Sequence, residues 1–134
     1  MKLFHLSEVN HNNKVFKPRV PYSVLSNGWG SITEDVKTKR VCFSKTITGA
    51  YYAINFEGGY NTLYVHVPEN LNEIIARNKI YKPTEKEVQD ADYTDEIWVK
   101  CPVKMKCIGK IQIGYTLNYY EKRPKVHFKY LERY

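Results

Sequence analysis

The sequence predicts an α+β fold: a single domain whose strongly bent mixed or antiparallel sheet carries short helices. Three observations predict it. Segments that read as strand, helix, strand, two short helices and then several strands lack the regular strand–helix alternation of a parallel sheet, which leaves βαβ winding as the second reading. Aromatic residues make up 14% of the chain and include 12 tyrosines, a composition suited to sheet faces packed on a core. At 134 residues the chain is sized for one domain over 1–134, with a core that needs no covalent staples.

Lys2 to Leu6 alternates as a short strand, and Ser7 offers a turn or cap at its end. From Asn10 to Thr38 the chain reads as irregular, because Pro18, Pro21, Gly28 and Gly30 punctuate it. A loop of that length is usually functional. Arg40 to Phe43 is the next strand, and a helix bearing Tyr51 and Tyr52 starts at Ser44 or Thr46, both good N-caps. Thr62 to Val67 alternates as a strand that Pro68 ends. Asn70 and Thr84 each stand three residues before a glutamate, the capping-box spacing, and predict two short helices. Glu96 to Val103 returns to strand, Lys106 to Tyr120 gives one or two more, and "YTLNYYEKRPKVHFKYLERY" folds back as a hairpin around Glu121 to Pro124.

With 21 Lys and Arg against 14 Asp and Glu, the formal charge of +7 favours polyanions, nucleotides or acidic protein surfaces. Cys42, Cys101 and Cys107 form no CxxC pair and are odd in number, which fits reduced thiols and suggests neither a disulfide framework nor a metal site. No apolar run approaches the roughly 20 residues that span a bilayer, and "MKLFHLSEVN" has no signal-peptide core. A cytoplasmic protein with no membrane partner is the expectation.

Compact phosphate-binding, hydrolase and metalloprotease motifs do not occur, so any chemistry is assembled from separated elements. Three stand out: His5 on the first strand, Cys42-Phe43-Ser44 before the tyrosine helix, and Asp95-Glu96 opening "EIWVKCPV". "LFHLS", "VCFSKTITGAYYA", "LYVHVPE" and "DEIWVKCPVKMKCIGKI" together resemble, in order and approximate spacing, compact ADP-ribosyltransferase-like domains. In that superfamily a strand histidine opens the fold, a strand and its following helix wall the nicotinamide, and a glutamate begins a late strand. This chain departs from the pattern at Cys42, where an aromatic is usual, and at Leu6, where glycine is frequent.

The resemblance implies NAD as cofactor, Glu96 as the catalytic residue, and a cofactor-binding set of His5, Ser7, Arg19, Arg40, Ser44, Tyr51 and Tyr52. The chemistry of each type agrees. A tyrosine face gains on the order of 1 kcal/mol by stacking on nicotinamide. A strand-end histidine bonds a ribose hydroxyl, and a carboxylate stabilises the oxocarbenium-like charge that develops as the C–N bond breaks. Guanidinium matches pyrophosphate geometry. The acceptor is then a macromolecule, protein or nucleic acid, and a small basic protein of this kind fits conflict between phage and bacterium. Two other functions suit the same residues. One is a non-enzymatic nucleotide-binding or protein-inhibiting module. The other is an RNA or single-strand binder that uses Lys122, Arg123, Lys125 and Lys129 of the C-terminal hairpin.

Taken one residue at a time, the structural readings are the more ordinary ones. A strand histidine, a helix tyrosine and a strand-opening glutamate are ordinary structural residues, as are His66, His127 and the three thiols. Only their meeting in space separates the two readings.

Overall fold

A computed structural model describes residues 1–21, 35, 37–54, 62–88, 91–116 and 125–134. Its strands are β1 (His5–Ser7), β2 (Val15–Phe16), β3 (Val41–Ser44), β4 (Thr62–Pro68), β5 (Ile80–Tyr81), β6 (Glu96–Val99), β7 (Val103–Thr116) and β8 (Lys125–Arg133). Its helices are α1 (Ile47–Ile54), α2 (Leu71–Ala76) and α3 (Ala91–Thr94). The chain is a small α+β domain in which every strand pairing among the described residues is antiparallel.

Two sheets stand where one bent sheet was expected. The larger runs β1-β4-β7, with β7 also carrying β2 and β8; the smaller runs β3-β6-β5. The N-terminal strand joins them. Phe4 exchanges both backbone hydrogen bonds with Ser44 of β3 at 2.8 and 2.9 Å, whereas His5, the very next residue, pairs with His66 of β4.

Alternation places the core between the sheets. Val41, Phe43, Ile97 and Val99 project from one face of the small sheet and pack with Leu3, Ile74, Val103 and Met105. Leu6, Leu63, Val65 and Ile111 from the large sheet enclose the underside of α1. The other face of the small sheet carries Trp98, buried against Val88 and Ala91.

Several expected boundaries shift for identifiable reasons. The predicted Glu96–Val103 strand ends at Val99; Lys100 still donates to the Lys79 carbonyl, in register with β5, but Pro102 has no N–H to give a ladder. Thr84 and Glu87 form half of the box, the Thr84 N–H donating to the Glu87 carboxylate at 3.1 Å, while the Thr84 hydroxyl donates to the same carboxylate at 3.2 Å and residues 85–87 form a turn. The Glu87 carbonyl accepts from the Asp35 N–H instead, and Val88 is drawn inward beside Trp98. Asn70 caps α2 without a side-chain bond. Phe16 and Val15 form a strand inside the stretch read as irregular. The hairpin of β7 with β8 is present; its turn, with Lys122 and Arg123, lies outside the described residues.

Candidate functional site: a cavity at the open edge of the small sheet

Arg40, Cys42 and Ser44 alternate with the core residues of β3 and so project together from the opposite face. At the far ends of this strand the outer edge is closed by two bridges. Phe4 pairs with Ser44, and Arg19 pairs with Arg40 through two bonds of 3.0 Å. Cys42 has the same parity as these two residues, so its N–H and C=O point to the same edge, between the bridges, where no strand of the described residues lies. That gap opens into a cavity of about 250 Å³.

Four walls surround it. Phe4, His5 and Leu6 stand at one end, and Lys17, Arg19 and Pro21 at the other. Arg40, Cys42, Ser44 and Glu96 form the sheet wall, while Ala50, Ala53 and Ile54 present a small-residue stripe of α1. Of the residues singled out in the sequence, His5, Arg19, Arg40, Ser44 and Glu96 all line this cavity.

The local sequence explains why Glu96 begins its strand at this point. Thr46 caps α1, its hydroxyl oxygen accepting from the Gly49 N–H at 2.9 Å, and the same hydroxyl donates to the Asp95 carboxylate at 2.7 Å. The Lys45 N–H bonds the Asp95 carbonyl at 3.0 Å. Asp95 adopts φ 51°, a left-handed conformation that aspartate tolerates, and reverses the chain so that Glu96 lies opposite Ser44. Gly49 completes the fit: a Cβ there would stand 2.4 Å from the Thr94 carbonyl oxygen.

Cys42 and Glu96 are coupled. Burial first, and then the Glu96 carboxylate, push the Cys42 thiol up to about 12, with Arg40 opposing. The thiol is therefore protonated at neutral pH beside the Glu96 carboxylate.

His5 is held at the cavity end by its backbone pairing and by rings. Phe16 lies edge-on at 5.5 Å and Phe43 at 6.3 Å. Burial, then the neighbouring His66, lowers its pKa to about 4, while a bond to the Cys42 backbone carbonyl works against that fall. At neutral pH the imidazole is uncharged, so one ring nitrogen is a donor and the other an acceptor.

Behind it, fully buried His66 accepts the His11 N–H on Nε2 at 2.9 Å. Its Nδ1 therefore carries the proton and faces the His5 carbonyl at 3.3 Å. Desolvation keeps His66 below its ordinary pKa as well. Histidine 66 thus pins the loop after β1 to the sheet. Among the described residues no group of three His, Cys, Asp or Glu side chains is arranged to hold a metal.

Arg40 lines the cavity yet has a structural task. Its buried guanidinium stacks on Trp98 at 4.1 Å, and Nη1 donates to the carbonyls of Asp35 and Thr38 at 2.8 Å each. The Asp35 carboxylate is 3.8 Å away and held below the usual range, chiefly by the Thr38 N–H. Arg19, by contrast, is exposed at the mouth, with Lys17 beside it on the same strand face.

Three expected cofactor residues lie elsewhere. Tyr51 is only 3% exposed and packs among Leu6, Leu63 and Ile111. Tyr52 is half-buried against the same cluster. Helical geometry accounts for both: residues 50, 53 and 54 share the cavity stripe, and positions 51 and 52 are turned roughly 100° and 200° away from residue 50. Ser7 accepts the Val9 N–H and meets His11 Nε2 at 3.1 Å, a turn contact outside the cavity. Sequence reasoning noted Cys42 but gave it no site role, and it missed Lys17 and Phe16. The i, i+2 parity of Arg40, Cys42 and Ser44, and of Lys17 and Arg19, was the signal that pointed to Cys42 and Lys17.

The chain was compared with protein-family models, with curated proteins and with solved structures, and it matches none of them significantly.

Proposed function

We propose that the cavity takes the nicotinamide–ribose end of NAD and that the chain is an ADP-ribosyltransferase-like protein acting on a macromolecular target. The observation that carries this reading is convergence. His5, Ser44 and Glu96, drawn from three strands far apart in sequence, meet on one cavity whose mouth holds Lys17 and Arg19. A volume of about 250 Å³ lies just below the roughly 300–1,000 Å³ of pockets that engulf a whole ligand. It suits the reacting end of a dinucleotide, with the pyrophosphate left outside against the two exposed cations.

The groups fit that chemistry in kind. Neutral His5 has an acceptor nitrogen for a ribose hydroxyl, and Ser44 adds a hydroxyl beside it. Apolar Phe4, Phe16 and Ile54 supply the walls that two tyrosines were expected to give. Glu96, which lines the cavity together with Cys42, stabilises positive charge on the anomeric carbon as its bond to the nicotinamide nitrogen breaks. The bonding pair leaves with nicotinamide, the acceptor's lone pair forms the new bond, and the acceptor's proton passes to Glu96 or water.

The test is Glu96→Gln. This variant keeps shape and hydrogen bonding but loses charge, so NAD cleavage or transfer should fall about a hundredfold or more while the NAD-induced rise in melting temperature persists. Full activity in the variant, or no thermal shift of the wild type at millimolar NAD, would overturn the assignment.

A further inference from the structure

The large sheet has a second face, turned away from the core and from α1, that carries its own pattern. Along β7, Val103, Met105, Ile111 and Ile113 are buried, whereas Lys104, Lys106, Gln112 and Gly114 are exposed and Lys110 is half-exposed on the opposite side. Neighbouring strands extend that side through register: Tyr64 opposes Lys110, Lys129 opposes Gln112, and His127 opposes Gly114. No helix of the described residues covers it.

Lysines outnumber carboxylates on this face. The Glu69 carboxylate is 3.3 Å from Lys104, and Glu132 stands opposite Lys110 in register, its carboxylate accepting the Tyr134 hydroxyl. Lys106, Lys110 and Lys129 have no carboxylate within ion-pair distance among the described residues. Lys110 instead lies 5.4 Å from the centre of the Tyr64 ring. Beside these cations, the place a Cβ would take on Gly114 has nothing within 4 Å, leaving bare backbone next to the His127 ring.

We propose that this face is a docking surface for single-stranded nucleic acid. Unpaired lysines on an open sheet neutralise successive phosphates, and the rings of Tyr64 and His127 on the same surface offer stacking planes to bases that a duplex would keep inside its helix. An acidic protein would use the cations but not the rings. The surface is separate from the cavity, so it stands or falls independently of NAD binding.

The test uses the full chain and a fluorescein-labelled single-stranded oligonucleotide of about 12 mixed-sequence nucleotides, as RNA and as DNA. Binding of at least one should weaken about tenfold or more between roughly 50 and 200 mM salt, with a log–log slope near −2 for three phosphate contacts. Lys106→Gln/Lys110→Gln/Lys129→Gln should lower affinity at least tenfold at low salt and flatten the slope, with melting temperature and NAD-induced stabilisation unchanged. Gly114→Val, which has room for its side chain, should keep the fold and weaken binding severalfold. Undetectable binding at low salt, or unchanged affinity in the triple variant, would overturn the proposal. So would equal affinity for a poly-glutamate peptide of the same length, for a duplex of the same sequence, or for phosphatidylserine vesicles.

Discussion

The thiol of Cys42 and the carboxylate of Glu96 line the same cavity from neighbouring strands, and burial, with the carboxylate's charge next, keeps the thiol protonated. A cysteine in this setting does not attack. Native protein at pH 8 should therefore leave Cys42 unlabelled by iodoacetamide. Cys42→Ser keeps a polar donor beside Glu96 and should retain most NAD cleavage, while Cys42→Val removes that donor and should lose cleavage by about tenfold, the worth of one hydrogen bond to a charged group. Rapid labelling, or equal activity in the two variants, contradicts this role of the thiol.

Acid should unfold the protein through its buried histidines. His5 is lowered to about 4 from an ordinary 6.5, so between those values the unfolded chain binds a proton that the folded one refuses. Stability is then full above pH 6.5, declines as the pH falls, and reaches its full loss near pH 4, on the order of 3 kcal/mol from His5. His66 shifts in the same direction and steepens the decline. Urea unfolding at a series of pH values checks this: His5→Gln should fall less steeply than wild type, and parallel curves would refute the assignment.

The two arginines of the cavity should separate cleanly. Arg40→Met strands the Asp35 and Thr38 carbonyls and removes the group stacked on Trp98, at a cost of about 3 kcal/mol. Exposed Arg19→Gln should change stability by no more than about 0.5 kcal/mol while weakening NAD binding. Melting curves with and without NAD distinguish the two effects.

Gly49→Ala should destabilise despite improving helix propensity. The added methyl meets the Thr94 carbonyl at 2.4 Å, and backbone cannot swing aside as a side chain can. Parting α1 from α3 should cost about 1–3 kcal/mol by chemical denaturation. A gain in stability would mean that the helices yield easily.

Much of this architecture was legible in the sequence, and the parts that were not share a cause. Period-two alternation and prolines located β3, β4 and β7, and Thr46 marked the start of α1, because those signals are local. The Thr84–Glu87 box misled because a distant backbone group, the Asp35 N–H, claims the carbonyl that a helix would need. The tyrosines misled for a related reason. Neighbouring helix positions point in different directions, and only tertiary packing decides whether residue 50 or residue 51 faces the cavity. His5, Ser44 and Glu96 were readable as types in order. Their meeting depends on the division of the N-terminal strand between two sheets, which no local pattern encodes.

That division also sets when the cavity comes into being during synthesis. Phe4 waits for Ser44 and His5 for His66, Glu96 follows later still, and β7, which backs β4, leaves the ribosome after all of them. A nascent chain carries scattered pieces of the site and no enclosed space to hold a small molecule.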